Sequence, residues 1–511
     1  MVYFGPSRGC ETCKKRRKKC DETRPSCLRC LNTNRVCRGY EAHANGNLIF
    51  RQHESQSTPG GIAPHLLPFK SMARKCSLPA RVPVPGSDVL PLDVGPKEVT
   101  PELMEECTLR AFFYDYCLVP INPTLSRGLL GRLELMVNRL GLQSQVAKAC
   151  QAVGYACHGI KLSRPFLLQK AEELYYGLLS SLAHAIRDPK AVNKEETAVM
   201  AILLGLYEMV TARDANLGNH SAHAGGLAAL LRIDNDPLSL LEAVCSGQSL
   251  LPNRFRGHGM FSTVCSHGRG KDLDSLLLRL RLIHCASDSI PSSSTLQSDF
   301  ARLHALLADT EALNADLAEW QAAQTVKFKP TTIGYIKPEF TSLRFIPGPG
   351  YWPGRVDVYF DMYFATIWNI SRTARCFLLD LIIRLSDMLE EEAPDHGQHT
   401  QNLMSQLCDV ISSIPYYLAE DVQAFLRQEQ GKQEIRDPGR TAGGLLLMHP
   451  LYVLSRLSTV FPEMQDYFKR CLAWIGDRMG IGQASLFAKD AGIDKDYVTS
   501  GCVIMWAALL V

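Results

Sequence analysis

From about residue 100 to the end of the chain, apolar residues recur at three- and four-residue spacing, the period of helices buried along one side. Thr100-Pro101-Glu102 reads as an N-cap with proline at the first helical position. Leu133 to Leu140, Val146 to Cys157 and Phe166 to Ile186 carry the helical period. Glu195 to Val210 is almost wholly apolar after its first turn and reads as a core helix, followed by His223 to Arg232. The stretch from Ser246 to Lys271 is irregular. Ser275 to Cys285 and Phe300 to Trp320 resume the period. Residues 324 to 356 carry Pro347-Gly348-Pro349-Gly350 and Pro353-Gly354 and predict a long loop. Val358 to Leu389 predicts one long helix or a broken pair. Leu403 to Ile414, Gly443 to Leu457 and Met464 to Met479 complete the pattern, and the apolar tail Val503 to Val511 predicts a buried helix or strand. No strand series interrupts the array, so residues 101–511 predict a large all-α domain. No run of about 20 apolar residues occurs, so no membrane-spanning helix is expected.

Residues 41–100 lack this pattern. They are rich in Pro, Gly, Ser and His and predict a flexible linker, without the a/d heptads of a coiled coil.

The N-terminus is organised differently again. Cys10, Cys13, Cys20, Cys27, Cys30 and Cys37 are spaced C-x2-C-x6-C-x6-C-x2-C-x6-C. Shifting the first three by seventeen positions lands on the last three, so the segment is an internal repeat. Thiolates in C-x2-C pairs are zinc ligands, and zinc takes four in a tetrahedron. One zinc would strand two sulfurs. Two zincs need eight ligand positions, which six sulfurs fill if two of them bridge. The repeat requires a symmetry-related bridging pair, Cys10/Cys27, Cys13/Cys30 or Cys20/Cys37, and spacing does not choose among them. A disulfide knot is the rival, but Met1 to Gly9 has no apolar secretion segment. The other twelve of the 18 cysteines are scattered from Cys76 to Cys502 and read as buried thiols. Cys150 and Cys157 share a helix face, with no metal role expected.

At these residues the chain resembles the fungal binuclear zinc cluster transcription factors. All six cysteines match their pattern, and Pro25 sits in the loop between the halves. The resemblance implies two Zn2+, with Cys10 and Cys27 bridging, Cys13 and Cys20 completing one site and Cys30 and Cys37 the other. Residues 1–40 then form the DNA-binding domain.

Charge supports a nucleic-acid partner. Residues 1 to 40 hold eleven Lys/Arg and three Asp/Glu, a formal +8, which six thiolates and two Zn2+ reduce to about +6, while the whole chain carries +3. The excess is concentrated in Lys14-Lys15-Arg16-Arg17-Lys18-Lys19. Residues 13 to 20 predict a short helix, too short to stand without metal. Such a helix fits the major groove of double-stranded DNA, where guanine O6 and N7 suit arginine. The family resemblance implies base contacts from Arg16 and Arg17 on CGG-type half-sites. Lys14, Lys15, Lys18 and Lys19 are left for phosphates. The same run also suits nuclear import, and the nucleus is the expected location.

The helical half resembles the second class of fungal-specific transcription factor domain. The resemblance is carried by LLGLYEMV at 203–210, HAGGLAALLR at 223–232, WNISRTAR at 368–375, SIPYYL at 413–418, AGGLLLMHPLYV at 442–453 and RMGIGQA at 478–484. It implies a regulatory domain whose partners are transcription coregulators, a second copy of the chain or a small-molecule effector.

Other clusters carry less. His220 and His223 near Asp214 read as surface caps of a helix start. Glu390-Glu391-Glu392 reads as a solvated face. Gly443-Gly444 and Gly480-x-Gly482 lack the strand-then-helix context of a phosphate loop and suit close helix packing. Tyr351-Trp352, Trp368 and Trp474 are expected in the core, with an effector pocket as the other use. No nucleophile elbow, catalytic carboxylate pair or H-E-x-x-H occurs, so no enzyme is expected. The reading is a zinc-dependent, sequence-specific regulator of RNA polymerase II transcription. Its rivals are a scaffold or corepressor whose cluster reads no DNA sequence, and a small-molecule sensor.

Overall fold

The computed structural model describes residues 10–16, 18, 20–21, 27–33, 37, 100–123, 125–187, 194–246, 259–261, 272–288, 296–338, 346–389, 396–428, 434–489 and 493–511. The chain divides into two units, Met1–Glu98 and Val99–Val511. The linker 41–99, Pro25, Glu390–Glu392 and most of the irregular stretch 246–271 lie outside the described residues.

The first unit contains two short helices, α1 (Glu11–Lys15) and α2 (Leu28–Leu31). The second contains α3 (Pro101–Tyr116), α4 (Leu133–Leu140), α5 (Gln145–Lys161), α6 (Pro165–Arg187), α7 (Lys194–Thr211), α8 (His220–Leu231) and α9 (Pro237–Cys245). It continues with α10 (Leu273–Asp288), α11 (Leu296–Ala323), α12 (Met362–Met388), α13 (His396–Leu418), α14 (Val422–Arg427), α15 (Thr441–Arg456), α16 (Pro462–Met479), α17 (Gly482–Lys489) and α18 (Lys495–Ala508). The all-α expectation therefore holds, and α12 is a single helix rather than a broken pair.

Several helix starts are dictated locally. Thr100 Oγ1 accepts the Leu103 N–H with Pro101 in the first turn, as the sequence predicts. Ser144, Asp236, Asp361 and Asp494 cap α5, α9, α12 and α18 in the same way.

Long-range packing joins these helices around two centres. Helix α5 packs on α3, α6 and α7, and α7 carries α8 and α18. Helix α12 packs on α11, α13 and α15, and α16 links α15 to α17 and α5. The apolar tail is the buried helix α18. It is tied down at its end, where Leu130 N–H donates to Ala508 O and Arg132 N–H to Val511 O. A short piece of the irregular stretch is also core. Met260 and Phe261 are buried, held by Tyr363 Oη on Met260 O at 2.9 Å and by the Phe261 N–H on Asp274 Oδ1 at 2.8 Å.

The glycine pair in α15 works as close packing. A Cβ on Gly443 would meet Tyr417 O at 2.3 Å, and one on Gly444 would meet Met479 Sδ at 2.7 Å. Only glycine lets α13 and α15 approach this closely.

One expectation fails. Residues 324–356 are not simply a loop. They hold a 3-10 turn, Val326–Phe328, and strand β1 (Thr331–Ile336), antiparallel to β2 (Gly354–Val358) with Thr331 opposite Val358 and Ile336 opposite Gly354. The Pro-Gly signals are real, but Pro347 to Pro353 lie in the connection and Gly354 opens β2. Threonine and isoleucine in TTIGYI suit a strand, yet its partner lies about seventeen residues further on and its register is broken near Gly334. The hairpin is held by α13, through Ser412 Oγ donating to Asp357 Oδ2 at 2.7 Å.

Candidate metal centre and nucleic-acid interface

Four thiols in the first unit, Cys10, Cys13, Cys27 and Cys30, are buried, and Cys20 and Cys37 are half-buried. The seventeen-residue repeat is visible as paired hydrogen bonds. The Cys10 N–H donates to Cys20 Sγ at 3.3 Å, and its repeat mate, the Cys27 N–H, donates to Cys37 Sγ at 3.4 Å. Likewise the Cys13 N–H donates to Cys10 Sγ at 3.4 Å and the Cys30 N–H to Cys27 Sγ at 3.3 Å. Such N–H groups favour a sulfur carrying negative charge.

Two sets of four sulfurs each lie within 4.8 Å of one another: Cys10, Cys13, Cys20, Cys27 and Cys10, Cys27, Cys30, Cys37. Cys10 and Cys27, one of the three symmetry-related pairs, belong to both sets. Their Sγ atoms are 3.6 Å apart, and Cys10 to Cys30 and Cys13 to Cys27 measure 3.8 and 3.7 Å. A zinc–sulfur bond of about 2.3 Å makes a tetrahedron with edges of about 3.8 Å, so these residues fit zinc. Burial pushes the Cys10 thiol up to about 12 and also raises Cys13 and Cys27. A nest of buried thiols therefore needs a cation to hold thiolate at neutral pH. The module binds two Zn2+, and no further metal-competent group of three or more ligands occurs among the described residues.

The predicted helix over residues 13–20 is displaced. Helix α1 runs Glu11–Lys15, Arg16 sits in the turn that follows, and the Lys18 N–H returns to Cys13 O at 3.1 Å. A helix continued from 13 to 20 would separate the two cysteines by about 10 Å at 1.5 Å per residue. Their sulfurs lie within 4.8 Å, so the chain must leave the helix and curl back.

Lys15, Arg16 and Lys18 are exposed around this curl. Arg17, Lys19 and the side chain of Lys14 lie outside the described residues. The second half of the repeat has Leu31, Asn32, Thr33 and Asn34 where the first has Lys14 to Arg17, so only one half carries the basic run. Asp21 was not among the expected site residues. Its Oδ2 accepts the Arg29 N–H at 2.8 Å and joins the two halves. Its position directly after Cys20 is the only signal that marks it.

The helical unit corrects one further expectation. His220 and His223 are buried, not surface caps. His220 Nε2 lies 2.8 Å from Tyr497 O, and His223 Nε2 lies 3.0 Å from Tyr175 Oη, which donates to Glu208. The loop before α8 turns the helix start inward beneath α18. Burial lowers both imidazole pKa values, and Asp214 instead pairs with Lys489 at the surface. Cys150 and Cys157 are both buried in α5, and Cys157 Sγ contacts Thr441 and Met479 O.

Residues 8–46 match the family model of the fungal Zn(2)-Cys(6) binuclear cluster domain. The chain is 48% identical over 423 residues to Transcription factor dbaG of Emericella nidulans, across 83% of this chain and the whole of that relative. It is 66% identical over 32 residues to Transcriptional regulatory protein moc3 of Schizosaccharomyces pombe, 6% of each chain. No solved structure matches.

Proposed function

This chain belongs to the fungal Zn(2)-Cys(6) binuclear cluster transcription factors, and from that premise we propose that its first unit reads CGG-type half-sites in the major groove of double-stranded DNA. It is a zinc-dependent, DNA-binding regulator of transcription. The observation that carries the finer reading is the asymmetry of the cluster. Both halves supply three cysteines, but only the first carries the basic run, with Arg16 exposed at the end of α1.

In this reading Cys10 and Cys27 bridge the two zincs. Arg16 and Arg17 donate to guanine O6 and N7, while Lys14, Lys15, Lys18 and Lys19 neutralise phosphates. The helical unit serves as the regulatory domain and binds coregulators of RNA polymerase II transcription in the nucleus. Its distinct core and absence of a basic run fit a role other than DNA contact.

Selection of bound sequences from random duplex DNA tests this, with zinc-loaded full chain at fixed, near-physiological salt. A CGG-like motif that disappears with chelator or with Arg16→Ala or Arg17→Ala is expected. Binding that is salt-sensitive but enriches no motif would refute sequence reading and favour a scaffold.

A further inference from the structure

We propose that the helical unit contains a binding cleft for a small organic carboxylate with a flat apolar body, formed where Trp368 and Arg372 of α12 meet the end of α11 and the β1–β2 hairpin. The inference does not depend on how the zinc module reads DNA.

The cleft has a volume of about 510 Å3, within the range of small-molecule sites. Its apolar side is Trp368, Ala318, Ala322 and Pro330. The Trp368 indole is fixed by Nε1–H donation to Phe328 O at 2.8 Å and lies 6.0 Å from the Trp320 ring. The ring is 7% exposed and the Arg372 guanidinium lies 5.3 Å from its centre, so the indole gives the cleft a narrow, rigid aromatic margin beside Ala318, Ala322 and Pro330.

The other side is charged. Lys329, Arg355 and Arg372 face Asp357 and Asp409, leaving one positive charge in excess. Asp357 is fully engaged, accepting from Thr332 Oγ1 at 2.7 Å, Ser412 Oγ at 2.7 Å and Arg355 Nε at 3.0 Å. Burial would raise its carboxyl, but these donors outweigh burial and hold it below the usual carboxylate range. Asp409 is taken by Arg355 Nη2 at 2.5 Å. Asp357 has no oxygen left for a metal or a cationic ligand, and Asp409 keeps its second oxygen, Oδ2, towards the Arg372 guanidinium.

The donors are in surplus instead. Arg372 is 1% exposed. Its Nη1 donates to Tyr359 Oη at 2.6 Å and Asn369 Oδ1 at 3.1 Å. Its Nε has no hydrogen-bond acceptor among the described residues, and Asp409 Oδ2 stands 4.0 Å away. A buried guanidinium with an idle donor is costly unless an acceptor arrives. Lys329 Nζ donates to Ala322 O at 2.9 Å and, as an ammonium, has two further protons. Arg372 Nε is itself closed to solvent, so the reachable donors are Lys329 and Arg355. A ligand carboxylate bound there would cancel the excess charge and draw the Arg372 guanidinium towards an acceptor, with its ring over Ala318, Ala322, Pro330 and the margin of Trp368.

The probe is 2-naphthoate, titrated into full-length zinc-loaded protein by calorimetry, with 2-naphthamide as its neutral counterpart. Saturable naphthoate binding is expected, with naphthamide about 10- to 100-fold weaker, the loss expected for a charge-assisted hydrogen bond. Ala322→Trp, at an exposed helix position, should plug the cleft and abolish binding with the helical circular dichroism unchanged. Lys329→Gln should weaken naphthoate and leave naphthamide alone. Arg372→Gln, if it folds, should weaken naphthoate at least tenfold. No saturable binding to the natural chain at millimolar naphthoate, equal binding of naphthamide, or undiminished binding to Ala322→Trp would overturn the proposal. Displacement of naphthoate by equimolar inorganic phosphate would overturn the carboxylate assignment.

Discussion

Loading the zinc module should release nearly six protons per chain. The perturbation is addition of Zn2+ to metal-free protein at pH 7. A free cysteine has a pKa of about 8.5, so about 97% of each thiol is protonated at that pH. Six thiols surrendering their protons release about 5.8, and burial, which raises Cys10, Cys13 and Cys27, pushes the number towards six. The sign follows directly: lower pH opposes loading. At about 1.36 kcal/mol per proton per pH unit, the two zincs together lose about 8 kcal/mol of binding for each unit below neutrality. Zinc calorimetry in two buffers of different ionisation enthalpy reads both stoichiometry and proton release. The expected result is two zincs and about six protons, both falling when Cys10→Ala removes a sulfur common to the two sets. One zinc with about four protons would refute the shared-thiolate arrangement and leave two cysteines as bystanders.

Replacing Lys18 by alanine should weaken all duplexes alike and reduce the slope of log affinity against log salt by about 1, whereas Arg16→Ala should cost about 1–3 kcal/mol on the preferred site only. Filter binding across a salt series separates the two, and a sequence-dependent Lys18 effect would contradict the phosphate assignment. Gly443→Ala drives a methyl into Tyr417 O and should destabilise by about 1–3 kcal/mol or more, while Gly177→Ala in α6, where a Cβ meets nothing within 4 Å, should stabilise by about 0.5–1 kcal/mol. Thermal melts should therefore shift in opposite directions, and equal shifts would reject the close-packing argument. Burial pulls the His449 imidazole down to about 3 from its ordinary value, so the folded state binds its proton later than the unfolded state. The His449 contribution to stability is full above about pH 6.5 and should fall by up to about 1.4 kcal/mol per unit as pH drops towards 3. His220 and His223, also lowered by burial, add in the same direction, so His449→Leu should reduce the slope in urea titrations without abolishing it.

The zinc module was legible because its chemistry is local. Six ligands lie within 28 residues, and their spacing alone brings them to two metals. The helices were legible for a related reason: amphipathic period and caps such as Thr100 and Pro101 act within a turn or two. Positions broke down where distant residues compete with local preference. Cys20 must reach the same sulfur set as Cys13, so good helix formers after Lys15 leave the helix.

By itself, then, the chain's order of residues determined the cysteine repeat, the one-sided basic run, the helical content and the starts of α3 to α7, because each depends on neighbours within about ten positions. Tertiary structure alone decided the rest. The β1–β2 pairing joins Thr331 to Val358 and relies on Ser412. His220 is buried because it meets Tyr497, 277 residues away. The Trp368–Arg372 cleft exists only where α11, α12, α13 and the hairpin converge. Which polar groups end up buried, paired or idle depends on contacts that no local period encodes, since the desolvation that makes them matter arises only when the core closes.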